Sequence, residues 1–193
     1  TSVTGNNNNV VNSGNSLISG IDNQIIDSSF SNLSGFNSYL FQSHGANASG
    51  RDNQIIASQY SSVSGFGNEA NNSSNSMITG LKNTIINSEE SFITGVMNNI
   101  EEGINNTVYG SRNTLINNFN SLMGGERNTL TNSNNNMGFG NNNELNNSDT
   151  SLIHGKFNKI KDTANSYIFG DSNDLSGVSV NSILGGKENE VYQ

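Results

Sequence analysis

The chain has 193 residues, 31% of them hydrophobic and 12% charged, and a formal net charge of −8 from eight Lys and Arg against sixteen Asp and Glu. So few cations cannot line a phosphate backbone, which excludes a nucleic-acid partner and disfavours an anionic membrane surface. Cysteine, tryptophan and proline are absent and glycine numbers 21, so there is no disulfide framework or thiolate metal site, and no proline removes a donor from a long β-ladder.

An apolar share this low does not build an ordinary globule, but it can build a repeat. One glycine recurs every fifteen residues, at Gly5, Gly20, Gly35, Gly50, Gly65, Gly80, Gly95, Gly110, Gly125, Gly140, Gly155 and Gly170, and Gly186 follows after sixteen. The extra residue falls in 176–180, where a bulge is expected. A fixed period is the mark of stacked identical units. It predicts an all-β solenoid of thirteen coils of about 15 residues, forming a single repeat-built domain over 1–193.

Each coil opens with a strand. Counting back from the glycine, a serine four residues before and an apolar residue two before (Val3, Ile18, Leu33, Val63, Ile78, Ile93, Val108, Met123, Ile153, Ile168, Leu184) share the glycine's face by strand alternation. That face is predicted to be the inside, with small Ser and Gly letting the walls approach. Three residues after the glycine come Asn8, Asn23, Asn53, Asn68, Asn83, Asn98, Asn113, Asn128, Asn143, Asn158, Asn173 and Asn189, with Ser38 the one departure. This reads as a stacked structural Asn ladder, each amide bonding its equivalents above and below and tolerating left-handed backbone. Neutral amides are poor ligands for hard cations, so no metal is expected. A second short strand then buries an apolar residue five after the glycine, from Val10 and Ile25 to Leu175 and Val191, and turns a polar one outward.

The outer face of the first strand should meet water, yet it is rich in large apolar residues. Three before the glycine stand Leu17, Met77, Phe92, Leu122, Met137, Leu152, Tyr167 and Ile183. The flanking positions trade volume. Small Ser19, Ser34, Ser64, Thr79 and Thr94 precede bulky Ile21, Phe36, Phe66, Leu81 and Val96, whereas Tyr109, Phe139 and Phe169 precede polar Ser111, Asn141 and Asp171. Compensation of this kind is what a filled interface requires. A partner is expected to cover this face.

Segments such as NSLISGIDNQI, ESFITGVMNNI, NSLMGGERNTL, TSLIHGKFNKI, NSYIFGDSNDL and NSILGGKENEV resemble the head repeats of YadA-like trimeric autotransporter adhesins across essentially the whole chain. Two features depart from that pattern: the period is fifteen where fourteen is commoner, and Ser or Thr often precedes the glycine. The resemblance implies a left-handed parallel β-roll in a parallel homotrimer. It further implies a bacterial surface adhesin that binds host cells or extracellular matrix, anchored in the outer membrane through C-terminal parts outside this chain. The implied partners are sister copies and a host receptor, with an immunoglobulin-like CEACAM-class receptor or a matrix protein as candidates. No run is apolar enough to cross a bilayer and TSVTGNNNNV does not read as a signal peptide. With the repeat in progress at both ends, the chain reads as a head fragment without stalk or anchor.

A ligand site is expected where the repeat breaks its own rules. Ser38 interrupts the Asn ladder, Ala46 and Asn47 replace the usual residues, and Phe30, Tyr39, Phe41, His44, Arg51 and Tyr60 cluster within about thirty residues. Aromatics and Arg are favoured anchors, although Phe30, Phe41 and Tyr60 could instead pack between protomers. Ile104, Phe119 and Phe157 form a second candidate row.

Catalysis is not expected, nor is a cofactor. His44 and His154 are the only histidines, and the Glu89–Glu90 and Glu101–Glu102 pairs sit at or beside turns as solvated charges. Ice binding, which would want an unbroken threonine row, and a purely structural spacer are the alternatives to adhesion. A calcium roll would need a GGxGxD period that is absent, with Asp171, Asn173 and Asp174 the one possible ion site.

Overall fold

The structure, a computed structural model, describes residues 1–177 and 181–192. Among the described residues every element is a β-strand, and each coil contributes one five-residue and one three-residue strand. All pairings are parallel and join a strand to its equivalent one coil on, as in Leu17↔Asn32 and Gly20↔Gly35 or Gln24↔Tyr39. This is the expected parallel β-solenoid of about thirteen coils. The chain forms two compact units, Thr1–Met97 and Asn98–Gln193. In the first unit, long strands run from Ser2–Asn6 to Phe92–Val96 and short ones from Asn9–Val11 to Thr84–Ile86; in the second, from Thr107–Ser111 to Ile183–Lys187 and from Asn99–Glu101 to Glu190–Tyr192.

Left-handed corners close the coils, three to a coil over most of the described residues. In the coils from Gly5 to Gly155 they lie two, seven and ten residues after the repeat glycine, as at Asp22, Asp27 and Phe30 (φ 58, 51 and 59°) or Arg112, Asn117 and Asn120 (φ 57, 54 and 53°). Asparagine accepts this conformation more readily than most residues. The corners therefore account for much of the chain's asparagine.

The repeat glycine is required twice over. Gly65 has φ +112°, a region closed to side chains, and a Cβ there would lie 2.0 Å from the carbonyl oxygen of Gly80 one coil on. Its role is to let that carbonyl in, rather than to thin the wall of the interior.

The predicted Asn ladder is present, on a different backbone from the one expected. The left-handed residue is the one before it. Asn113 donates its side-chain amide to the Tyr109 and Gly125 carbonyls at 3.0 and 2.9 Å, while its Oδ1 accepts from the backbone N and Nδ2 of Asn128 at 3.0 and 3.1 Å. Ser38 keeps the ladder connected. Its N–H donates to Asn23 Oδ1 at 3.0 Å, and its hydroxyl accepts from the Asn53 N–H at 3.2 Å.

Two further polar ladders run through the interior. One is the predicted serine four before the glycine, where the Ser31 N–H donates to Ser16 Oγ. The other, eight after the glycine, is at Ser13, Ser28, Ser43, Ser58, Ser73 and Ser88, where each backbone N–H donates to the hydroxyl of the coil before. Between the ladders lie the aliphatic columns, Ile18, Leu33, Val63, Ile78 and Ile93 facing Ile25, Leu40, Ile55, Ala70 and Ile85, all buried. In the second unit Gly138 stands where an aliphatic is usual, and Leu130 and Ile153 close on the gap.

The register advances by sixteen once, at Tyr167↔Ile183 and Gly170↔Gly186. The extra residue lies between Ser176 and Ile183, as expected, but the predicted bulge falls on 178–180, outside the described residues.

Candidate functional site

The outer face of the long strands is the most unusual surface of both units. In the first unit the residues one after the glycine form a row of Ile21, Phe36, Arg51, Phe66, Leu81 and Val96. Ile21 is 43% exposed, and Phe36 and Val96 nearly as much. The Arg51 guanidinium spans the two neighbouring rings, 5.2 Å from the Phe36 centroid and 5.5 Å from that of Phe66. Its Nε also meets Asp52 at 3.1 Å. Leu17, Met77 and Phe92 add exposed apolar groups at the other end of the strands, but Asn32, Asn47 and Ser62 interrupt them, with Asn32 donating to Asn47 Oδ1 at 3.0 Å.

In the second unit the apolar row shifts to three before the glycine, where Leu122, Met137, Leu152, Tyr167 and Ile183 follow one another without a break. The row one before the glycine carries Tyr109, Phe139 and Phe169. Tyr109 and Phe139, two coils apart, approach to 6.3 Å between ring centroids. They can meet because Gly124 lies between them: a Cβ there would fall 2.1 Å from Tyr109 Cζ. The row one after the glycine is polar here. Glu126 bridges Arg112 and Arg127 at 3.4 and 3.3 Å.

The first ligand cluster read from the sequence divides among three places. Tyr39 and Phe41 stack at 6.0 Å on the outer face of a short strand. Arg51 belongs to the long-strand face just described. Phe30, His44 and Tyr60 lie at the corner nine and ten residues after the glycine, where Phe30 and Tyr60 are each 68% exposed. Of the second cluster, Ile104 and Phe119 are paired on adjacent coils, but Phe157 (φ 55°) occupies a different corner, two after its glycine. Sequence proximity missed this because residues a few apart in a coil point to different sides. Position within the fifteen-residue period is the signal that sorts them.

His154 lies on the long-strand outer face of the second unit and His44 at a corner of the first. Glu90 and Glu102 are left-handed corner residues. Among the described residues no group of three or more His, Asp or Glu is placed to hold a metal ion.

No protein-family model and no curated protein matches the chain. Solved structures similar to it include the UDP-N-acetylglucosamine acyltransferase of Arabidopsis (11% identity, 96% of this chain and 70% of that one, TM-score 0.33). Others are the UDP-N-acetylglucosamine O-acyltransferase of Moraxella catarrhalis (15%, 92% and 69%, TM-score 0.27) and the perosamine N-acetyltransferase of Caulobacter crescentus (10%, 59% and 44%, TM-score 0.19). This corrects two expectations. Adhesion was expected from the resemblance of the coils, with ice binding or a passive spacer as alternatives, and the statement that the chain is no enzyme was drawn from its two isolated histidines and its solvated carboxylate pairs. These three solved structures are acyltransferases, and both statements are withdrawn. A stacked β-coil is a scaffold, and function resides in the sites it carries. At these identities and TM-scores the likeness is to the repeated coil, so no acyl-transfer activity passes to this chain either.

Proposed function

We propose that the chain is a self-associating module in which the outer faces of the long strands pack against sister copies in parallel. The observation carrying this reading is the exposed apolar row of each unit, Ile21, Phe36 and Val96 in the first and Met137, Tyr167 and Ile183 in the second. Exposed apolar rows of this kind, interrupted in the first unit by Arg51, whose guanidinium lies over the Phe36 and Phe66 rings, are unusual on a monomer. The row is also shaped for packing. Small residues sit beside bulky ones, Gly124 makes room for the Tyr109 ring, and Glu126 is neutralised by its two arginines.

The resemblance of the coils to the head repeats of YadA-like trimeric autotransporter adhesins supports three copies. The adhesive role of that family is not carried over with it.

The chain has no cysteine, so a single introduced thiol reports its own surroundings. In a parallel, in-register assembly Phe92→Cys brings sister thiols within disulfide reach, whereas Gln54→Cys, on the outer side of a short strand, does not. Oxidation is expected to cross-link the first variant and leave the second single. Equal cross-linking of both, or of neither, would count against the reading.

A further inference from the structure

One corner of the first unit breaks its pattern in a coordinated way. Ten residues after the repeat glycine most coils carry asparagine, as at Asn15 and Asn75, but three successive coils between these carry Phe30, Gly45 and Tyr60. Both rings are attached to left-handed backbone (φ 59 and 54°) and both are 68% exposed. An aromatic residue in that conformation is strained where asparagine is at ease. The exposed rings also give up the burial that would justify them in a core.

Gly45 explains how Tyr60 is held. A Cβ on Gly45 would lie 2.6 Å from Tyr60 Cδ1 and 2.8 Å from Cε1, so the ring lies against the bare backbone of that glycine and presents its other face to solvent. Beside it stands His44. The Ser29 N–H donates to His44 Nδ1 at 3.0 Å, which places the proton of the neutral ring on Nε2. That nitrogen makes no hydrogen bond among the described residues.

We propose that this corner is a stacking platform for a neutral, extended, β-linked oligosaccharide. Phe30 and Tyr60 each take the C–H face of a pyranose, whose polarised hydrogens meet the negative face of the ring. His44 Nε2–H donates to a sugar hydroxyl between them. The two aromatics stand two coils apart, roughly 10 Å at the usual strand spacing, which suits alternate sugars of a chain lying along the corner.

Other ligand classes fit less well. The ridge is one corner wide, far short of the area that a stable protein interface buries. The net charge of −8 repels anions, and Arg51, which lies on another side of the coil, is engaged by Phe36, Phe66 and Asp52. This inference does not rest on self-association.

Saturation-transfer NMR on the full chain with cellotetraose, chitotetraose and lacto-N-neotetraose tests it. At least one sugar is expected to receive transfer at its ring C–H protons. Phe30→Asn and Tyr60→Asn restore the residue common at this corner and so preserve the fold. Each is expected to weaken binding roughly tenfold, whereas Tyr60→Phe retains it and His44→Ala shows a smaller loss. Absence of transfer to all three sugars overturns the proposal, as does transfer unchanged in the double Asn variant. If the double variant altered the mass of the assembly and no sugar bound, the rings would belong to contacts between copies, which also overturns it. Sugar binding that survives in a variant unable to assemble would show that this site stands without self-association, whereas a wild-type chain that binds sugar as a single copy would leave this site standing and remove the self-association reading alone.

Discussion

The two faces of the long strands follow opposite rules. Inward, the residue type at each position hardly changes along a unit: glycine is under the next coil's carbonyl, an aliphatic side chain lies two before it and serine or asparagine four before. Outward, the three positions change from coil to coil, and the apolar row even shifts from one after the glycine in the first unit to three before it in the second. The difference follows from what each face must satisfy. An interior polar group is donor to one coil and acceptor from the next, so one substitution leaves partners stranded above and below. An exterior side chain has only to fill volume against a partner, and a neighbour in the same strand can make up what it lacks.

This contrast can be broken most severely at the glycine. Gly65→Ala must both enter a backbone region closed to alanine and displace the Gly80 carbonyl. The expected loss is upward of about 4 kcal/mol in thermal or urea unfolding. A stable, well-folded variant would show that the backbone there relaxes freely.

The ladder ranks next. Asn113→Ala removes the donor to the Tyr109 and Gly125 carbonyls and the acceptor of the Asn128 amides, all at buried or half-buried positions. A cost of about 2–4 kcal/mol is expected, read by the same unfolding measurement. On the outer face, Phe92→Ser should change the stability of the dissociated chain by about 1 kcal/mol, because Phe92 is 36% exposed there and the exchange costs strand propensity more than core packing. Its effect belongs to assembly. A loss comparable to that of Asn113→Ala would erase the distinction between the faces.

Much of the fold is legible in the sequence because stacking forces every coil to repeat the same contacts. The period, the two strands, the aliphatic columns at Ile18 and Ile25, and the Asn ladder all follow from that repetition, whereas Ser38, read as a break in the ladder, in fact carries it through. Two things are less legible. The second serine ladder, at Ser28 and Ser43, lies outside both strands, so strand alternation gives no sign of its burial. The left-handed corners are spread over Asn, Asp, Lys, Arg, Met and Phe, and composition hides what position within the period would have shown.

The candidate sites were less legible still. Phe30, Tyr39 and Arg51 are near one another in sequence and lie on three sides of the solenoid, whereas Phe30 and Tyr60, thirty residues apart, share one corner. A coil of fifteen residues brings together what is separated by whole periods. It parts what is separated by a fraction of one.

The central claim is that the outer long-strand face is covered by sister copies. Sedimentation equilibrium of the purified chain, 20.6 kDa as a single copy, tests it most directly. The account predicts about three times that mass, falling to one copy when Phe92 and Tyr167 are both replaced by glutamate. A wild-type chain that sediments as a single copy with Phe92 and Tyr167 left in water would contradict it.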